Sequence, residues 1–277
     1  MFPGQGSQVA GMRDAVAEHC PELLDNAFSS LGDCPFEHID EGTRFAQPAV
    51  YCAAIAGWVG AGRPQFDYVA GHSLGELAAL VAAGCMSADD GLSLAVIRGR
   101  LMQQAAERGP KGGMMALVGD DRAARTIARL SGLPITNDNA PGQIVVSGPD
   151  WRLGAAAARA KTAQLRAIRL RIQGAFHTQA MRSALPDFRA ALANVDFSPP
   201  LMPVFSSITA SPFDDVRSRL ASALTHPVRW RGTLASLDQV GVRRYIEAGP
   251  GRVLSGLVKR TIPHAEIRSL PALSHVA

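Results

Sequence analysis

Ser73 stands between two glycines in Gly71-His72-Ser73-Leu74-Gly75, where the short run Asp67 to Ala70 hands over to a long Ala/Leu-rich stretch. That is the pattern of a nucleophile elbow, G-x-S-x-G, whose strand-turn-helix bend tolerates no side chains near the serine. A helix starting there offers its dipole and free N–H groups to an oxyanion developing on an attacked carbonyl. The same residues also spell S-x-x-E, ending at Glu76, and a capping box would ask of Ser73 only that it accept a backbone N–H. A cap needs no glycine on both sides, so the glycines favour the elbow. A nucleophilic serine needs a base. The histidines are His19, His38, His72, His177, His226, His264 and His275. His72 adjoins the serine, and neighbours on an elbow point apart, which makes it structural. His177, after Gly174-Ala175-Phe176, is the candidate base. Gly4-x-Gly6 is no phosphate loop, because no G-K-[ST] follows it.

These residues need a scaffold that brings them together. Apolar strand-like runs alternate with Ala-rich helical stretches, which points to an α/β fold. Helices are expected over Ala49 to Gly60, Leu74 to Ala83, Ser87 to Ala106, Pro186 to Ala193 and Asp214 to Ala223. The middle differs. Strands at Met114 to Val118, Pro134 to Asn137, Gln143 to Ser147 and Leu165 to Arg171 alternate with helices at Arg122 to Leu130 and Asp150 to Ala163. That order, β-α-β-β-α-β, is the split βαβ pattern. It is bounded by Gly109-Pro110-Lys111-Gly112-Gly113 and Gly174, so it reads as a subdomain over 112–174, inserted into a larger one formed by 1–111 and 175–277. His177 then lies where the insert returns, facing the elbow across a cleft. At the start, Met1-Phe2-Pro3-Gly4 leaves no room for a strand before the first Gly-rich turn. The expectation is that the larger domain lacks its first strand, or that the natural chain begins a few apolar residues upstream.

The 277 residues are 47% hydrophobic and 19% charged, an ordinary globular composition. No uncharged run of about eighteen apolar residues occurs, so no membrane span is expected. The N-terminus has no basic stretch followed by an apolar one, so no signal peptide is read there. Cys20, Cys34, Cys52 and Cys85 have no C-x-x-C spacing, which fits free thiols in the cytoplasm and argues against a zinc site. The formal net charge is +4. The basic residues are spread out, in groups such as Arg159/Lys161/Arg166/Arg169/Arg171 and Arg243/Arg244; they are solvated faces or guides for an anionic partner. No helix-turn-helix or aromatic RNA-binding box is present, so nucleic acid is not an expected partner.

An ordered set of motifs over nearly the whole chain resembles malonyl-CoA:acyl-carrier-protein transacylases and the related acyltransferase domains of polyketide synthases. The motifs are Phe2-Pro3-Gly4-Gln5-Gly6-Ser7-Gln8, Gln47-Pro48-Ala49, Gly71-His72-Ser73-Leu74-Gly75-Glu76, Arg98-Gly99-Arg100-Leu101-Met102, Asn137 through Gly148, Gly174-Ala175-Phe176-His177-Thr178, His226-Pro227-Val228-Arg229-Trp230 and Glu247-Ala248-Gly249-Pro250-Gly251. The resemblance implies an α/β-hydrolase-like core with an inserted ferredoxin-like subdomain and an active site in the groove between them. It implies Ser73 as the acyl-accepting nucleophile and His177 as its base, with backbone carbonyls just before His226-Pro227 orienting the imidazole. The backbone N–H groups of Gln5 and Leu74 would form the oxyanion hole. Arg98 would grip the carboxylate of the acyl group, and Gln47, Asn137, Asn139 and Gln143 would line the substrate groove. Phe176 before the histidine and Leu74 after the serine match the malonyl-preferring pattern. Ser207 stands where relatives commonly carry Asn. No cofactor and no metal are implied.

The implied partners are malonyl-CoA and an acidic acyl carrier protein presenting a phosphopantetheine arm, in fatty-acid or polyketide synthesis. An acyl hydrolase that edits stalled carrier proteins is the alternative, and Arg98 argues against it, because monocarboxylic acyl groups need no carboxylate clamp. A degenerate, non-catalytic scaffold is disfavoured by Ser73, Arg98 and His177 occurring together.

Overall fold

The computed structural model describes residues 1–270; His275 lies outside them. The chain begins with α1 (Met12–His19), α2 (Pro21–Leu31) and α3 (Thr43–Gly60), then β1 (Val69–Ala70), α4 (Gly75–Ala82) and α5 (Ala88–Arg108). The middle holds β2 (Gly112–Val118), α6 (Asp121–Leu130), β3 (Ile135–Ala140), β4 (Gln143–Pro149), α7 (Asp150–Thr162) and β5 (Arg166–Gln173). A 3-10 turn at Gln179–Ala184 leads to α8 (Leu185–Ala193), β6 (Val204–Ser206), β7 (Ser211–Pro212), α9 (Val216–Ala223), α10 (Trp230–Gln239), β8 (Arg244–Glu247), α11 (Val253–Thr261) and β9 (Glu266–Ser269). The fold is α/β with mixed sheets.

The strands that carry the elbow are short and buried. β1 pairs in parallel with β6, Val69 opposite Val204 and Ala70 opposite Phe205, and β8 pairs in parallel with β9. Met1 and Phe2 join the two pairs. Phe2 N donates to the Ala70 carbonyl (2.9 Å), His72 N donates to the Phe2 carbonyl (3.0 Å), and Ala248 N donates to the Met1 carbonyl (2.8 Å). The expected absence of a strand ahead of the Gly-rich turn therefore corresponds to two residues hydrogen-bonded on both sides.

Helix packing explains the small residues of the first half. α3 and α5 cross so closely that a Cβ on Gly99 would lie 2.8 Å from the Thr43 carbonyl oxygen, and one on Gly91 would lie 2.2 Å from the Tyr51 hydroxyl. α3 starts six residues ahead of the expected Ala49. Pro48 looks like a helix boundary because it lacks an N–H, yet it sits inside the helix, whose flanks are buried and supply the stabilisation that propensity does not. α5 begins as the sequence indicates, with Ser87 Oγ accepting the Asp90 N–H at 3.0 Å.

The middle segment follows the expected order. Its strands lie in the spatial order β3-β4-β2-β5, every neighbouring pair antiparallel. Alternation gives the sheet two different faces. Met115, Leu117, Ile144 and Val146 pack with α6 and α7, while Met114, Ala116 and Val145 turn to the main core. β3 is also fastened to the rest of the chain: Asp138 N donates to the Val228 carbonyl (2.8 Å) and Val228 N to the Thr136 carbonyl (2.9 Å). Gly99→Val overpacks the α3–α5 crossing and is expected to cost about 1–3 kcal/mol, read as a lower denaturant midpoint at unchanged slope.

Candidate active site

The turn after β1 is an elbow built by close backbone approach. Ser73 has φ of 53°, a left-handed conformation rare outside glycine. A Cβ on Gly71 would lie 2.0 Å from the Gly75 carbonyl carbon, and one on Gly75 would lie 2.1 Å from the Phe2 carbonyl oxygen. Both glycines are thus required by contact, and the capping-box alternative fails. Ser73 Oγ makes no helix cap, and Glu76 Oε1 accepts the backbone N–H of Ser207 at 2.7 Å instead.

Ser73 Oγ meets two groups from distant elements. It lies 2.9 Å from His177 Nε2, and a terminal guanidinium nitrogen of Arg98 donates to it at 3.0 Å. His177 also has a left-handed backbone, φ 59°. Its Nδ1 lies 2.8 Å from the Ala223 carbonyl, three residues ahead of His226. A carbonyl only accepts, so Nδ1 carries the hydrogen and Nε2 presents its lone pair to the serine. Burial, and then the charge of Arg98, push the imidazole down to about 3, so it is neutral at physiological pH.

Arg98 is buried, and burial lowers it to about 10, which leaves it cationic. Among the described residues no carboxylate pairs with it directly; its other terminal nitrogen donates to Gln47 Oε1 at 2.7 Å, and Gln47 Nε2 turns to Met102 Sδ at 3.4 Å. Glu76 is buried on the other side of the elbow, and burial raises its carboxyl to about 7, against the opposing pull of the Ser207 N–H and of Arg98. Sequence reasoning saw Glu76 only as a capping partner, because its contact to residue 207 has no local signature.

The site opens into a cavity of about 770 Å³. Gln5, Gln47, Ser73, Leu74, Arg98, Asn137, Asn139, Gln143, Phe176 and His177 all line it. Gln5 Oε1 accepts from Thr43 Oγ1 (2.7 Å), and Asn139 Oδ1 meets His72 Nε2 (2.9 Å), which gives His72 its structural place. Asn137 Oδ1 accepts from Thr136 Oγ1, and Gln143 Oε1 from Arg260. Phe176 is buried, its ring against Gly174, where a Cβ would lie 2.7 Å from it. Met114, Ala116 and Val145 supply an apolar wall. Among the described residues no cluster of three potential metal ligands occurs, and no helix is long and apolar enough to cross a membrane. All four cysteines are free thiols.

Glu76 ionises more easily in the unfolded chain, near 4.5, than in the native one, near 7. Its contribution to stability is therefore present below pH 4.5 and is lost as pH rises through about 7. Denaturant titrations at about pH 5 and about pH 7.5 should show a smaller fall in stability for Glu76→Gln than for the wild type.

The acyl transferase domain family matches residues 1–273. The polyketide biosynthesis malonyl CoA-acyl carrier protein transacylase PksC of Bacillus subtilis is 35% identical over 96% of this chain and 97% of its own length. The malonyl CoA-acyl carrier protein transacylase of Synechocystis sp. is 34% identical over 99% of this chain and 96% of its own. The polyketide biosynthesis protein ThaF of Burkholderia thailandensis is 38% identical over 95% of this chain, which spans only 24% of that longer protein. Among solved structures, a malonyl-CoA:acyl carrier protein transacylase from Xanthomonas oryzae superposes with a TM-score of 0.88 at 36% identity, covering 98% of this chain and 94% of that one. With the elbow, the histidine and the buried arginine already in place, these matches show that the chain belongs to the malonyl-CoA:acyl-carrier-protein transacylase family of acyl transferase domains.

Proposed function

We propose that the protein is a malonyl-CoA:acyl-carrier-protein S-malonyltransferase that carries the malonyl group as an ester on Ser73. One atom carries the reading: Ser73 Oγ touches both a neutral imidazole and a buried guanidinium. A base and a fixed cation converging on one hydroxyl suit a substrate with a thioester at one end and a carboxylate close by. A guanidinium reads a planar carboxylate bidentately.

In the first half-reaction Ser73 Oγ attacks the thioester carbonyl and gives its proton to His177 Nε2. The carbonyl oxygen takes the negative charge beside the backbone N–H groups of Gln5 and Leu74. The C–S bond breaks, and His177 returns the proton to the leaving thiolate. In the second half the carrier's thiol gives its proton to His177 and attacks the serine ester; the acyl C–Oγ bond breaks, and His177 returns the proton to Ser73 Oγ. Exchange between two thiols is nearly isoenergetic, so a serine ester serves as the way-station.

The malonyl carboxylate does more than dock. Arg98 donates to the nucleophile's oxygen and adds to the effect of burial in depressing the base. A carboxylate on Arg98 draws that N–H away and offsets the charge, which frees the oxygen lone pair and relieves the part of the His177 depression that Arg98 adds to burial. An acetyl group does neither. Leu74 and Phe176, both buried, leave little room for an α-branch. Asn137, Asn139 and Gln143 line the groove along the arm's path, and Gln47 holds Arg98 in position.

In architectural terms, residues 1–111 and 175–277 form an α/β-hydrolase-like core and residues 112–174 a ferredoxin-like subdomain; the β3-β4-β2-β5 order and the separate apolar cluster under α6 and α7 support this division. The carrier is acidic, the pathway is fatty-acid or polyketide synthesis, and the compartment is the cytoplasm. The editing hydrolase is not favoured, because a buried cation against the nucleophile serves no monocarboxylic acyl group.

Intact-protein mass spectrometry after mixing with malonyl-CoA is expected to show a malonyl adduct that Ser73→Ala abolishes, and His177→Ala should slow its formation by about two to four orders of magnitude. An adduct persisting in Ser73→Ala, or mapping to a cysteine, overturns the assignment. Arg98→Ala is expected to lower the malonyl rate by two to three decades or more, since unpairing a buried charge costs roughly 3–5 kcal/mol. Its acetyl rate should hold or rise. A variant that keeps the wild-type malonyl-to-acetyl ratio would remove Arg98 from the role of clamp.

A further inference from the structure

The cavity is larger than a malonyl group fills; its volume suits a whole extended ligand. One wall is β5, the edge strand of its sheet. Its register against β2 runs Ala116 to Ile168 and Met115 to Arg169, then jumps to Gly113 opposite Gln173. Met114 alone therefore faces Leu170, Arg171 and Ile172. Gly113 permits the distortion, because a Cβ there would lie 2.7 Å from the Ile172 carbonyl oxygen. Bulges of this kind re-aim side chains beside functional sites, and all three bulged residues line the cavity.

Leu170 and Ile172 are half-buried, while Arg171 is exposed. Two other cationic groups that line the cavity are committed, Arg169 to Asp150 and Arg98 to Ser73 and Gln47, and Arg166, also on β5, does not line it. Arg171 has no hydrogen bond or ion pair to any described residue, and Glu37 and Asp40, which also line the cavity, make none with it. Arg13 lines the cavity from α1 without a partner, but no strand spacing relates it to the base. Arg171 precedes His177 by six residues, and extended chain rises about 3.3 Å per residue, so the two are separated by at most ~20 Å. The chain turns after Gly174, so the separation is shorter still and within reach of a pantetheine arm, which has a thiol at one end and a phosphate at the other.

We infer that Arg171, thrust into the groove by the β5 bulge, holds the phosphate at the far end of the pantetheine arm while the thioester sits on Ser73. The inference rests on the malonyl-transfer reading above and adds a subsite to it. A guanidinium binds phosphate oxygens through paired, charge-assisted hydrogen bonds. The phosphate comes from either of two sources, the pyrophosphate of coenzyme A or the phosphodiester of the carrier; Arg171 serves both half-reactions.

The test is steady-state transfer by wild type, Arg171→Ala and Arg171→Lys, with malonyl-CoA, malonyl-pantetheine lacking phosphate, and holo-carrier as acceptor. Arg171→Ala is expected to raise KM for malonyl-CoA and for carrier roughly tenfold, with kcat little changed and partial recovery in Arg171→Lys. The KM advantage of malonyl-CoA over malonyl-pantetheine should shrink by the same factor, and its salt dependence should flatten. A rise confined to malonyl-CoA, or to carrier, supports the contact for that phosphate and overturns it for the other half-reaction. An equal rise with the phosphate-free thioester, or no rise with any substrate, overturns the inference alone. Wild-type protein that accepts malonyl from neither thioester overturns the transfer reading and this inference with it.

Discussion

Everything at the site depends on how closely three backbone segments approach at the elbow. The Phe2 carbonyl lies where a Cβ of Gly75 would be, and the start of α4 lies where a Cβ of Gly71 would be. This contact forces Ser73 into its left-handed conformation and lifts its hydroxyl off the end of β1. Such strain persists only where surrounding structure over-determines it. Here the surroundings are the hydrogen bonds through Met1 and Phe2 on one side and Glu76, anchored to the Ser207 N–H, on the other.

The second constraint is a buried charge without a salt bridge. Arg98 keeps its proton under burial because amide, hydroxyl and thioether-linked groups accept or orient its donors, with Glu76 contributing only from a distance. A direct ion pair would satisfy the guanidinium and leave nothing for a ligand. The partial arrangement holds Arg98 in place while leaving its charge uncompensated, and that is the property a carboxylate-recognising site needs. The same charge bears on His177, so the imidazole and the guanidinium are electrostatically coupled.

The elements with strong local signals were legible in the sequence, while α1, α2, α10 and α11 were not expected from it. α5 has its Ser87 cap, and the middle strands alternate cleanly enough that one face meets α6 and α7 and the other the groove. The flanking glycines of Ser73 announced a steric demand that the coordinates bear out. The short strands β1, β6, β8 and β9 were not legible as strands: two to four residues buried on both faces show no alternation. Pro48 misled the start of α3 because tertiary burial outweighed its missing donor. That a backbone carbonyl just before His226-Pro227 would orient His177 came from the resemblance, and it is Ala223 that does so, since a backbone acceptor leaves no trace of its own in side-chain identity. The meeting of Arg98 with Ser73, 25 positions apart, came from resemblance and not from spacing.

Besides its packed inner face and the Asn139–His72 and Gln143–Arg260 contacts, the four-stranded sheet has three backbone attachments to the rest of the molecule. Two are covalent, at the glycine-rich approach to β2 and at Gly174 after β5, and the third is the hydrogen-bonded bridge between β3 and Val228. A lid swings on a hinge and needs one free margin; here the margin opposite the covalent joints is stitched down. The width of the groove is thereby set before any substrate arrives. A long, flexible arm must then be fed in lengthwise, like thread through a fixed eye, and withdrawn the same way.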